Sequence, residues 1–272
     1  MTGGEKKLPI FVIGFPKSGN TWLARMLAEV THSNISVHDP ADVVNAADNS
    51  LERSGKYEIY KEHVVQNVEK VLRSKTVYIV RDVRDVLVSG FFHCNRWATN
   101  KPLTDSVFYK LYFEHEVKKL NDRWQGNFWS EFYYSVRTFL ATLVRKGRRN
   151  VRVGSWSDHV KYWIHLPGVI VVRYEDLLDD TENELRKILR SLSIDASDED
   201  IKKCVVNQSF AKKKATFLNS QDDRNATFLR SGKSGDWRNY LSPTLGGAVE
   251  KKHASMMAEM GYAFECLEEE DK

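Results

Sequence analysis

At 272 residues and 42% apolar, the chain is long enough to bury a full core, in one domain or two. Its net charge of +4 is too mild to point to nucleic acid, and it contains no run of eighteen apolar residues to cross a membrane. The three cysteines, Cys94, Cys204 and Cys266, are too few and too scattered for a disulfide framework or a zinc site, and they suit a reducing compartment.

The first predicted element is a buried strand over Ile10–Ile13. It is followed by the turn Gly-Phe-Pro-Lys-Ser-Gly at 14–19, then a helix over 21–29 with apolar residues at 23, 26, 27 and 30. Strand, glycine loop and helix N-terminus together suit an anion, because glycine lets backbone N–H groups approach and the helix dipole favours negative charge. Gly14, Gly19 and Thr21 have the spacing of a Walker A loop, but Asn20 stands where that motif has lysine, and Lys17 lies inside the loop. An ordinary strand-turn-helix corner is the plainer alternative. The run Pro-Lys-Ser-Gly-Asn-Thr-Trp at 16–22 resembles the 5′-phosphosulfate loop of cytosolic-type sulfotransferases, which use 3′-phosphoadenosine 5′-phosphosulfate (PAPS).

Residues 31–56 are polar and turn-rich and read as a loop able to line a substrate pocket. A short strand over 57–63 ends in Lys61-Glu62-His63. A lone histidine is more often structural than a base, but the resemblance extends to a Lys-x-His at this place and implies that His63 is the base. Thr76–Val80 reads as a buried strand running into Arg-Asp-Val-Arg-Asp at 81–85. Arginine at the carboxyl end of a parallel strand offers a bidentate phosphate clamp, whereas a kinase more often ends such a strand in Asp to hold magnesium. The alternative is a surface ion-pair cluster at a helix start. The resemblance implies a 3′-phosphate site made of Arg81 and Ser89.

Residues 94–150 are rich in aromatics and charge, and Phe108, Leu111, Tyr112 and His115, like Phe132, Val136, Phe139, Leu140 and Leu143, fall at helical spacing. They read as core-packing helices, and some of them could border an acceptor pocket. The stretch 154–163 resembles a family segment near the cofactor side of the sheet, with His159 a packed residue. The strand Val169–Val172 again ends in arginine, and the Tyr-Glu-Asp that follows implies Tyr174 beside the adenine. Helices are predicted over 181–192, 197–206 and 245–260. The lysine-rich stretch 211–236 reads as a mobile loop. Its end resembles the family's closing segment and implies that Arg230, Ser231 and Gly232 complete the 3′-phosphate site, with Ser231 in place of a lysine.

With no Gly/Ser/Pro-rich linker, residues 1–272 are expected to form one α/β domain, a three-layer fold with a central parallel sheet flanked by helices, frayed at 1–7 and 267–272. The polar stretch 1–7 does not read as a signal peptide, and a cytoplasmic protein is expected. The resemblance implies sulfuryl transfer from PAPS, leaving PAP, to a hydroxyl or an amine or carbamoyl nitrogen of a small molecule, without a metal. In that scheme Lys17 and Lys61 bear on the transferred group, and Lys17, Ser18, Gly19, Asn20 and Thr21 hold the phosphosulfate. Trp22 stacks on adenine and His63 takes the acceptor's proton. No nucleic-acid or membrane partner is expected. The family's dimerisation signature is not recognisable near 241–250, so the oligomeric state stays open. A P-loop kinase or NTPase, or a non-catalytic nucleotide-binding protein, is the competing reading.

Overall fold

The structure, a computed structural model, describes residues 7–37, 55–63, 68–94, 156–219, 229 and 231–267. The predicted helices within 95–150 and Arg230 lie outside them. The chain divides into two compact units: residues 1–63, 67–81 and 163–234, and residues 64–66, 82–162 and 235–272.

The first unit holds a five-stranded sheet, parallel throughout, in the order β2-β3-β1-β4-β5. The strands are β1 (Leu8–Ile13), β2 (Asn34–Val37), β3 (Tyr57–Glu62), β4 (Lys75–Val80) and β5 (Val169–Arg173). The last four residues of β1 and the last five of β4 are all buried, as expected for central parallel strands covered on both faces. Helix α1 (Asn20–Val30) buries Leu23, Met26, Leu27 and Val30 against Ile10, Val12, Ile59, Val77 and Ile79. Helix α2 is Val68–Leu72, and α5 (Tyr174–Asp179) follows β5 directly. Helices α6 (Thr181–Ser191) and α7 (Asp198–Asn207) add Leu185, Ile188, Leu189, Ile201 and Cys204 to the same core. Both start on side-chain caps, Asp180 accepting from the Asn183 N–H at 3.2 Å and Ser197 from the Asp200 N–H at 3.0 Å.

Two expectations fail against this fold. Strand β2 lies inside the stretch read as loop: Asn-Ile-Ser-Val is too short and polar to signal a strand, yet pairing with β3 buries Ile35 opposite Ile59. Helix α8 (Phe210–Asn219) occupies the start of the stretch read as a mobile loop. Its three lysines hide the apolar period, and the anchor is Phe217, buried beneath the Arg25 guanidinium at 5.6 Å.

In the second unit, α3 (Val83–Cys94), most of α4 (Trp156–Ile164), a 3₁₀ turn (Asp236–Asn239) and α9 (Pro243–Glu259) are organised by buried ions rather than a surface cluster. Arg84 pairs with Asp82 at 2.6 Å and Glu250 at 2.5 Å and lies over the Trp237 ring. Glu250 also accepts the N–H groups of Glu265, Cys266 and Leu267, each at 3.0 Å. Burial pushes the Glu250 carboxyl up, but those N–H groups and Arg84 outweigh it and leave it below its ordinary value. Asp85 accepts from the Gly235 and Trp237 N–H groups at 2.8 and 2.9 Å.

His253 is buried against Trp156, and Ser157 Oγ lies 2.7 Å from its Nδ1. Burial, with Lys252 adding to it and Asp158 opposing, lowers its pKa from 6.5 to about 4. An unfolded chain therefore binds a proton between pH 6.5 and 4 that the folded chain refuses, and stability falls as pH drops through that window. Urea unfolding should show His253 costing about 2 kcal/mol between pH 7 and pH 5, a cost that His253→Gln removes. Equal pH slopes in the two proteins would refute this.

Candidate functional site

Register assembles the site. Ile13 of β1 pairs with Glu62 of β3, so Gly14 and His63 emerge side by side at the carboxyl ends of their strands. On the other side, Val80 of β4 pairs with Arg173 of β5, which brings Arg81 abreast of Tyr174. Three strand ends thus deliver a glycine loop, a histidine and an arginine to one edge of the sheet, where ligands of open α/β sheets bind. Lys61, buried within β3 opposite Val12, adds a cation below His63.

The loop between β1 and α1 is built for close backbone approach. Lys17 and Gly19 both take the left-handed conformation, at φ 72° and 105°. Ser18 is wholly buried, and its hydroxyl has no hydrogen-bond partner among the described residues. No side chain caps the N-terminus of α1, so the backbone N–H groups there are not covered by a side-chain oxygen. A Cβ on Gly14 would stand 2.5 Å from the Ile79 carbonyl oxygen, and one on Gly19 would stand 2.7 Å from the Tyr174 ring. Gly19→Ala combines a disfavoured φ with that clash and should destabilise the fold by about 1–3 kcal/mol. Urea unfolding checks this, and an unchanged midpoint would contradict it.

Tyr174 ties the loop to Arg81. The Arg81 guanidinium lies over its ring, 4.2 Å from the centroid, and Trp22 meets it edge-on at 5.7 Å. Arg81 also donates to the Lys233 carbonyl at 2.9 Å, joining the closing segment to the strand end. Trp22 donates its indole N–H to the Gln208 carbonyl at 3.0 Å, and the Phe210 ring packs against Gly232. His63 Nδ1 lies 2.9 Å from the Gly14 carbonyl oxygen and 3.2 Å from Asn20 Nδ2.

Of the residues predicted from sequence, the structure brings together Lys17, Ser18, Gly19, Asn20, Trp22, Lys61, His63, Arg81, Tyr174 and Gly232 within the first unit. Thr21 follows on the first turn of α1, and Ser231 leads into Gly232. Ser89 is half-buried on α3 in the second unit. Tyr174 carries Arg81 on its face, so its first task is to hold that guanidinium. Gln208 and Phe210 escaped the sequence reading because the segment around them carries no glycine or arginine signal; an aromatic just before a lysine run was the available hint. Among the described residues no group of three or more His, Cys, Asp or Glu forms a metal cluster, and no helix is long and apolar enough to cross a membrane.

The model of the sulfotransferase domain family matches residues 7–261. The chain is 24% identical to sulfotransferase 2A1 of Macaca fascicularis over 92% of its own length and 85% of that protein. It is 25% identical to 3-alpha-hydroxysteroid sulfotransferase of Cavia porcellus over 90% of this chain and 82% of that protein. Among solved structures, mouse sulfotransferase SULT7A1 complexed with PAP matches at a TM-score of 0.61 and 24% identity, covering 94% of this chain and 86% of that one. Retinol dehydratase in complex with androsterone and PAP matches at 0.58 and 18%, covering 92% and 80%. These likenesses show the fold.

Proposed function

We propose that this chain, which belongs to the sulfotransferase domain family, moves the sulfuryl group of PAPS to a hydroxyl or an amine or carbamoyl nitrogen of a small-molecule acceptor. The observation that carries the reading is the convergence on one sheet edge of the glycine loop, buried Lys61, His63 and the Tyr174-mounted Arg81. The loop suits a phosphosulfate. The buried Ser18 hydroxyl offers a hydrogen bond, and the two left-handed residues open the backbone to an anion. PAPS supplies an activated sulfuryl group on a phosphate leaving group.

The chain's own groups then have separable tasks. Lys17, with the N–H groups of residues 19–21, faces the charge that gathers on the leaving phosphate. Lys61 offsets negative charge on the group in flight. His63 takes the acceptor's proton through Nε2, because Nδ1 is engaged at Gly14. Arg81, with Arg230, Ser231 and Gly232, holds the 3′-phosphate, and Trp22 with Tyr174 borders the base. The steroid and retinol named for the relatives and neighbours make a hydroxyl on an apolar skeleton the first acceptor class to try. We read residues 1–272 as one catalytic domain. Among the described residues Cys204 and Cys266 form no disulfide, which accords with a cytoplasmic setting.

The test is calorimetry with PAP against ATP plus magnesium, followed by a sulfation screen with PAPS read by mass spectrometry. PAP is expected to bind and ATP–magnesium not to compete. Preference for ATP–magnesium would favour a P-loop kinase and overturn the reading. PAP binding without turnover of any acceptor would leave a nucleotide-binding protein.

A further inference from the structure

Asn20 stands where the resembled loop commonly has threonine, and its side chain reaches out of the anion loop to the base. Its Nδ2 donates to the Gly14 carbonyl at 2.9 Å, the same oxygen that His63 Nδ1 approaches at 2.9 Å, and the two nitrogens are 3.2 Å apart. A carbonyl oxygen has two lone pairs and can take two donors. Both nitrogens lie at hydrogen-bond distance from that oxygen, so their closeness follows from sharing it. The amide orientation is fixed by the same oxygen, because a flipped Asn20 would set Oδ1 against it, acceptor to acceptor. Asn20 is 3% exposed and its Oδ1 is buried with no hydrogen-bond partner among the described residues. That unmet acceptor is a cost an alanine would avoid, so the side chain stays for what Nδ2 does. The shared carbonyl belongs to a glycine because a Cβ there would meet the Ile79 carbonyl oxygen and Asn20 Oδ1.

We infer that Asn20 is a positioning residue for His63. By filling one lone pair of the Gly14 carbonyl, it aims the other at the imidazole and so holds His63 as the Nδ1–H tautomer, with Nε2 the proton-accepting nitrogen. Because Asn20 is also the first residue of α1, immediately after Gly19, the element that receives the anion and the element that sets the base are one residue. The inference rests on the sulfotransferase reading for its catalytic meaning, but the tautomer itself does not.

The test combines imidazole ¹⁵N spectra of the full chain, alone and with PAP, with PAP affinity and with turnover on the acceptor returned by the PAPS screen. Wild-type His63 should show the Nδ1–H tautomer in both states. Asn20→Ala should give a mixture of tautomers and lower kcat about tenfold or more, with the Kd for PAP moving less than about threefold. Asn20→Ser, which keeps a donor, should recover part of both signals, and it carries the comparison if the alanine variant does not fold. An Nε2–H tautomer in the wild type, or an unchanged tautomer in both variants, overturns the inference. So does a kcat loss matched by an equal loss of PAP affinity, which would make Asn20 a phosphate-loop residue alone. A wild-type protein that transfers nothing from PAPS overturns the proposed function and leaves the tautomer result standing.

Discussion

His63→Ala is expected to lower sulfation turnover by about a hundredfold or more, with PAP affinity within a few-fold of wild type. The separation of the two effects is the point. His63 reaches the site from the end of β3, paired through its backbone neighbours with β1, and meets the glycine loop at the Gly14 carbonyl, beside the Asn20 amide. The loop's own shape is set by Lys17, Ser18 and Gly19, so the nucleotide should survive the loss of the imidazole. The alanine does leave the Gly14 carbonyl short of one donor, and a shifted loop would mimic the loss of a base. His63→Asn resolves this, since its amide can donate to that carbonyl but cannot take a proton at neutral pH. Both variants should be equally inactive in a mass-spectrometric sulfation assay. An asparagine variant that kept most of its turnover would make His63 a loop support.

The site was legible wherever a residue type alone carried the physics. Glycines spaced around a lysine at the end of an apolar run gave away the strand–loop–helix corner, and Arg81 directly after Val80 gave away an arginine at the carboxyl end of β4, because both signals are local. The central strands were legible for the same reason: β1 and β4 are buried on both faces and spell it out as unbroken apolar runs. What was not legible depends on pairing. Strand β2 exists because β3 is there to bury Ile35, and four residues with two apolar side chains cannot say so. Helix α8 has one deep anchor, Phe217, whose partner Arg25 is on α1 far along the chain. Tyr174 stands out in the sequence, but its hold on Arg81 follows only from the β4–β5 register. Asp82, Arg84 and Asp85 read equally well as a surface cluster, and only the fold reveals that Glu250 and the backbone of 235–237 enclose them.

Arg81→Ala should weaken PAP binding by ~2–5 kcal/mol, the usual cost of truncating one partner of a buried charge pair, which is roughly 30-fold to several thousandfold in Kd. Two structural roles compete to explain such a loss. Arg81 is 8% exposed, its guanidinium covers the Tyr174 ring, and it donates to the Lys233 carbonyl. Removing it could act on a 3′-phosphate directly or by releasing the tyrosine and the closing segment. Calorimetry with 5′-AMP beside PAP separates the two. If Arg81 meets the 3′-phosphate, the variant's penalty is large for PAP and nearly vanishes for 5′-AMP, which has no such group. If it acts through Tyr174 and Lys233, both nucleotides suffer alike. Arg81→Lys sharpens the comparison: it keeps the charge but loses the planar fork that stacks on the ring and grips a phosphate with two donors, so PAP affinity should fall between wild type and alanine. Equal penalties for PAP and 5′-AMP would remove Arg81 from phosphate recognition and leave it a structural pin between β4 and the closing segment.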